Sequence, residues 1–195
     1  AYDAKELAGA PAEFKSIEAP ADTQFMDRAH YELAKLYEER GNYQDASKEF
    51  RMASEIEPGL DYVQYRLDFF LSLCRLGRQK EAQANIRAYA SKLRESQWLQ
   101  DGVIRALVEY CAGDLSKEDV LRAALKQVSG PNGSCSLCMT QYYLAMSCLI
   151  DIRADSLASS VDTTEALARL KEGMSACNQC GRSEYRGRIE MELRH

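Results

Sequence analysis

Apolar and small residues recur with a helical period from Asp27 onward, and they fall into paired stripes. Leu33 and Tyr37 form one stripe with Ala34 beside it, Ala46, Phe50 and Ala53 form a second, and Gly41 lies between them. This spacing predicts two antiparallel helices. The first ends at Gly41, small Ala34 lets the second approach closely, Tyr43 packs under the turn, and Pro58 stops the second helix. At a 36-residue offset Phe69, Leu73, Gly77, Ala82 and Ile86 take the places of Leu33, Tyr37, Gly41, Ala46 and Phe50. Phe70 and Tyr89 stand where the first pair has small residues, so the second pair is expected to be splayed or tilted there.

Gly113 follows Gly77 by another 36 residues and marks a weaker third repeat. Val103, Ile104, Leu107 and Val108 give its first helix an apolar face. Ser116 and Asp119 form a capping-box pattern ahead of Val120, Leu121, Ala124 and Leu125. Strict alignment would bury Arg105 and Glu109, so a register slip of about one residue is expected. The run from Ser129 to Ser134 breaks the pattern. Beyond it Leu144, Ala145 and Cys148 restore the first stripe and Ala166, Leu170 and Gly173 the second, across a longer connection from Ala154 to Asp162. Tyr185, Ile189 and Leu193 predict a closing amphipathic helix. Residues 1–22, with Pro11, Pro20 and seven alanines, read as an extended lead-in with one short helical turn over Ala12–Ile17. The expected architecture is all-α, a single domain over 23–195 with repeats at 27–60, 61–96, 97–130 and 135–180 and a closing helix at 183–195.

Composition fits this pattern. Charged residues at 28%, hydrophobic ones at 46% and only 4 prolines in 195 residues describe a helical globular chain long enough for a sizeable core. The net charge of −5 comes from interspersed signs. No run of Lys or Arg could follow a phosphate backbone, which argues against nucleic acid as partner. No apolar stretch reaches the roughly 20 residues that span a bilayer. No intact signal peptide is recognisable, and because the first residue is Ala1 rather than Met, a leader or anchor removed upstream is compatible with the chain.

Seven cysteines are many for this length, and four form two Cys-x-x-Cys pairs, Cys135 with Cys138 and Cys177 with Cys180. The first pair opens one helix of the fourth repeat and the second pair closes the other, so an antiparallel hairpin brings all four sulfurs to one pole. Three readings compete: a single structural zinc held by four thiolates, cross-helix disulfides, or unlinked thiols. Zinc would place the protein in the cytoplasm, and disulfides in the periplasm or another exported setting. A thioredoxin-like redox motif is the weakest reading, because no strand-turn-helix context surrounds either pair. Cys74, Cys111 and Cys148 lie on apolar faces as small core residues.

Signals of catalysis are missing from the sequence. Its two histidines are His30, at a packing position, and His195 at the end; no phosphate loop, nucleophile elbow or histidine-containing metalloprotease pattern occurs. Glu38, Glu39, Glu55 and Glu57 fall where a solvated helix face would put them. The chain is therefore expected not to be an enzyme.

Leu33, Ala34, Tyr37, Gly41, Tyr43, Ala46, Phe50, Ala53 and Pro58 together resemble the tetratricopeptide repeat family closely over 27–60 and more weakly beyond. The resemblance implies a right-handed superhelical stack of helical hairpins that binds another protein or a peptide in a concave groove. The groove positions carried over are Arg28, Tyr31, Lys35 and Glu38 in the first repeat and Gln64, Leu67, Leu71 and Cys74 in the second. In the third, Gln100, Val103, Leu107 and Tyr110 are the nearest candidates. The leucines and valine have an equally direct reading as packing residues between helices. Glu32 and Asp68 stand where the chaperone-tail clamp of this family needs Asn, which argues against that co-chaperone role. Two alternatives remain beside the scaffold reading: a secretion-type chaperone for an apolar client segment, and a redox- or metal-responsive regulator built on the four paired cysteines.

Overall fold

The computed structural model describes residues 23–55, 60–95, 102–127, 133–154, 160–180 and 183–193. Among them there are nine helices and no strand: α1 Thr23–Glu39, α2 Tyr43–Glu55, α3 Leu60–Arg75, α4 Gln79–Glu95, α5 Gly102–Ala112, α6 Lys117–Gln127, α7 Gly133–Ala154, α8 Ser160–Cys180 and α9 Ser183–Glu192. The lead-in of 1–22, Pro58, Gln100, most of the break after Ser129, the middle of the long connection and His195 lie outside the described residues. By compactness the described residues divide into two units, and the division falls within α4, after Ala82.

In the first unit α1 packs on α2 and α2 on α3. Ala34, Ala46, Phe50 and Ala53 are fully buried and Leu33 nearly so. The small residues permit close contact, and the removal of a ring like that of Phe50 from water stabilises by about 1.5–3 kcal/mol. The turn between α1 and α2 has only three residues. Gly41 takes φ 71, its amide donates to Glu38 O at 2.9 Å, and the Asn42 amide reaches back to Tyr37 O at 2.9 Å. Asn42 then caps α2, its side-chain oxygen 3.4 Å from the Asp45 amide.

The same closure occurs twice more. Gly77, at φ 74, and Gly113, at φ 84, each donate to the carbonyl three residues back, and the next amide reaches the carbonyl five back: Arg78 to Leu73 at 2.9 Å, Asp114 to Glu109 at 2.8 Å. Only a residue in the left-handed region can turn the chain this way while pairing the last carbonyls of the helix, which is why glycine holds all three places.

The second unit packs α5, α6, α8 and α9 around α7. α7 is apolar or small on nearly every side, and Thr140 to Met146 are all buried. After the third cap the chain needs four residues rather than two to start a helix, since α6 begins at Lys117. Val120 and Ala124 are buried instead of the residues aligned with Ala46 and Phe50, and Leu125 is 60% exposed. The slip is thus two residues and lies in the turn, not about one residue within the preceding helix. Arg105 and Glu109 keep their aligned places by pairing with each other at 3.1 Å at the half-exposed edge of α5. The predicted Ser116–Asp119 capping box forms in both directions, amide to side chain at 3.3 and 3.2 Å. In α9, Tyr185 and Ile189 are buried, but Leu193 lies past the helix end and is 38% exposed.

Candidate functional site

Two constellations stand out, a polar seam between α1 and α3 in the first unit and the cysteine pole of α7 and α8 in the second. The seam begins at Tyr31, whose hydroxyl donates to Asp68 Oδ2 at 2.8 Å and accepts from Gln64 Nε2 at 2.6 Å. Its ring stacks on Tyr65 with centroids 4.3 Å apart, and Lys35 Nζ stands 4.9 Å from its ring centre. Two helical turns along the same face, Glu38 Oε1 accepts from Arg75 at 2.6 Å, with side chains only 3% and 1% exposed. The Arg75 guanidinium also lies 5.2 Å from the Tyr43 ring centre. Both rungs join residues 37 apart in sequence, one more than the repeat length. His30 Nδ1 and Glu49 Oε2 are 2.6 Å apart across α1 and α2.

Of the candidate groove residues, Tyr31, Lys35 and Gln64 come together in this seam, and Arg28 is exposed. Leu67 and Leu71 are 1% exposed and Val103 and Leu107 fully buried, so their accessibility matches packing residues rather than an open apolar lining. Leucine and valine remove more apolar area from water by packing than by facing a solvated groove. Gln100 lies outside the described residues. Glu38 is not on a solvated face, since burial is tolerable only with the Arg75 charge beside it. Asp68 is likewise fully buried under the Tyr31 hydroxyl, which takes it out of any electrostatic argument about a groove. Sequence reasoning passed over Asp68 and Arg75 as partners of Tyr31 and Glu38. The available signal was a complementary pair recurring at one constant offset.

At the pole, the sulfurs pair as two disulfides, Cys135–Cys180 and Cys138–Cys177, with Cα separations of 5.0 and 5.1 Å. The outer pair is partly exposed, and the inner pair is buried at 2% each. Gly173, one turn further into the hairpin, explains the spacing: a Cβ there would come within 3.2 Å of Gln141 Cβ and 3.0 Å of Ile189 Cδ1. Its missing side chain lets α8 lie against α7 and α9 closely enough for sulfurs to meet. Below the pole Tyr142, Tyr143 and Tyr185 cluster edge to face, and the Arg188 guanidinium lies 4.6 Å from the Tyr142 ring centre.

A charged line ties α6 to this hairpin. Lys117 Nζ reaches both Glu165 oxygens at 2.8 and 3.0 Å, Arg169 adds a bond to Glu165 at 2.7 Å, and Gln141 donates to Glu172 at 2.7 Å. The hydrogen bond from Lys117, with that from Arg169, holds the Glu165 carboxyl below its ordinary range. The bond to Glu165 correspondingly raises Lys117. No helix among the described residues is long and apolar enough to cross a membrane. No family model, no curated protein and no solved structure matches the chain.

Proposed function

We propose that this chain is a non-catalytic helical-repeat scaffold of the tetratricopeptide kind, which binds another protein or peptide along the first helices of its repeats. The observation that carries the reading is the triplicate helix cap at Gly41, Gly77 and Gly113, identical in hydrogen bonding and 36 residues apart. Such periodic closure is what a stack of like hairpins requires. The proposed binding surface differs from the sequence expectation: polar and of mixed charge, around Arg28, Gln64 and the Lys35–Glu32 pair, rather than an apolar strip of Leu67 and Leu71. Because Lys35 Nζ is already paired with the Glu32 carboxylate at 2.8 Å, a polar segment with few apolar anchors suits it better than an apolar client, which weakens the chaperone alternative.

Photo-crosslinkers placed at Arg28 and Lys35, with a third at exposed Lys92 as reference, test this reading. A discrete partner captured from the first two positions and not from Lys92 supports it. Equal capture from all three, or capture from none, removes the scaffold reading.

The bonded sulfurs favour disulfides over a structural zinc, which would need four free thiolates turned on one ion, and with them an exported setting. In the purified, unreduced protein the mass should lie below the fully reduced mass by two hydrogens per bridge, with no zinc by elemental analysis. One zinc per chain and a fully reduced mass would reverse this.

A further inference from the structure

We infer that the Cys135–Cys180 bridge is a thiol-exchange site, opened by a dithiol reductant that attacks the Cys180 sulfur while the Cys138–Cys177 bridge beneath it stays closed. The inference does not rest on the scaffold reading and holds whatever the module binds.

Accessibility separates the two bridges. Both cysteines of the outer bridge are partly exposed, whereas those of the inner bridge are 2% exposed and sit where Gly173 draws the helices together. A thiolate can approach the outer sulfurs from solvent, but reaches the inner ones only after the hairpin opens locally.

Position in the helices sets the direction of attack. Cys135 is the third residue of α7, inside the first turn, where unpaired amides and the helix dipole favour a thiolate. Cys180 is the last residue of α8, where the carbonyl end disfavours one. The better leaving group is therefore the Cys135 sulfur, and exchange is fastest when the entering thiolate takes Cys180.

The electrons and protons balance in two displacements. A thiolate of the reductant forms a bond to Cys180 Sγ, the Sγ–Sγ bond breaks, and Cys135 leaves with the electron pair and takes up a proton. The second thiol of the reductant then displaces Cys180 from the mixed disulfide, and the departing thiolate is protonated in turn. The dithiol is oxidised to a disulfide and the bridge is reduced to two thiols. The inner bridge meanwhile keeps α7 and α8 in place, so the outer pair can close again when oxidised.

The test uses the full oxidised chain under native conditions. Dithiothreitol is added, samples are quenched with iodoacetamide over time, and the alkylated cysteines are mapped by peptide mass. Cys135 and Cys180 should be alkylated at least about tenfold faster than Cys138 and Cys177. With 2-mercaptoethanol in place of the dithiol, the trapped adduct should sit on Cys180, with the alkyl group on Cys135. Simultaneous opening of both bridges, earlier opening of the inner one, an adduct chiefly on Cys135, or four free thiols before reduction would each overturn the inference. The variant Cys138→Ala/Cys177→Ala, with the outer bridge alone, should open at the parent rate. If it fails to fold, Cys135→Ala/Cys180→Ala serves instead, and its remaining bridge must resist reduction until denaturant is added.

Discussion

Glu38→Gln would leave the Arg75 guanidinium buried without its counter-charge, and breaking a buried pair from one side typically costs about 3–5 kcal/mol. Replacing both partners by Met should cost far less, because the desolvation of two charges disappears with the pair. Chemical denaturation of the single and double variants checks both expectations. Ala46→Leu should destabilise by about 1–3 kcal/mol through overpacking at a site with no exposed surface. The two residues also mark the limit of legibility at this scale. Ala46 is readable because a small residue repeats in step with apolar neighbours. Glu38 is not, since periodicity assigns a carboxylate to solvent unless its distant partner is already known.

Helices were readable wherever a stripe and its stop signal agreed, as at Leu33, Tyr37 and Gly41. The offset of α6 is two residues rather than about one, and its cause is written in the sequence: the Ser116 capping box fixes the helix start at Lys117, which lengthens the turn and moves Val120 and Ala124 into the buried places. The groove leucines could not be placed from one helix alone, because a lining residue and a packing residue share the same stripe. Leu67→Asp with Leu71→Asp is expected to collapse the helical circular dichroism signal, as both side chains are 1% exposed. The Lys117–Glu165 link between α6 and α8 makes a pH-dependent contribution. Glu165, held low, contributes above its ordinary carboxylate range and loses that contribution as acid brings the pH down through its folded value. Lys117, held high, contributes below its ordinary ammonium range and loses it as the pH rises through its folded value. The difference in melting temperature between parent and Glu165→Gln should therefore hold steady between about pH 5 and pH 10 and fade toward acid. Both groups are about a third exposed, so added salt should shrink it.

At the level of the molecule, both disulfides lie in the second compact unit. The bridges close sequence separations of 45 and 39 residues, and they are nested. The first to form removes about 4 kcal/mol of chain freedom, whereas the second closes only a small ring of two helical turns and adds about 2 kcal/mol. Cys135→Ser with Cys180→Ser should thus be mild, and removal of all four cysteines severe. Hydrogen exchange should locate the loss after residue 133, with protection over 27–82 unchanged. The 36-residue period of the sequence runs through Gly77 without interruption, and the division between the two units falls inside the helix that follows.

The three capping glycines carry one consequence for chirality. At Gly41 and Gly77 the backbone adopts dihedrals that an L-residue resists and its mirror image prefers. A semisynthetic chain with D-alanine at either place should melt higher than the parent, because the unfolded ensemble loses freedom while the turn keeps its shape, a gain of about 0.4–1 kcal/mol. L-alanine at the same positions should melt lower, even though its methyl would meet nothing within 4 Å. The two enantiomers of one amino acid would then move stability in opposite directions from glycine, with handedness alone as the cause.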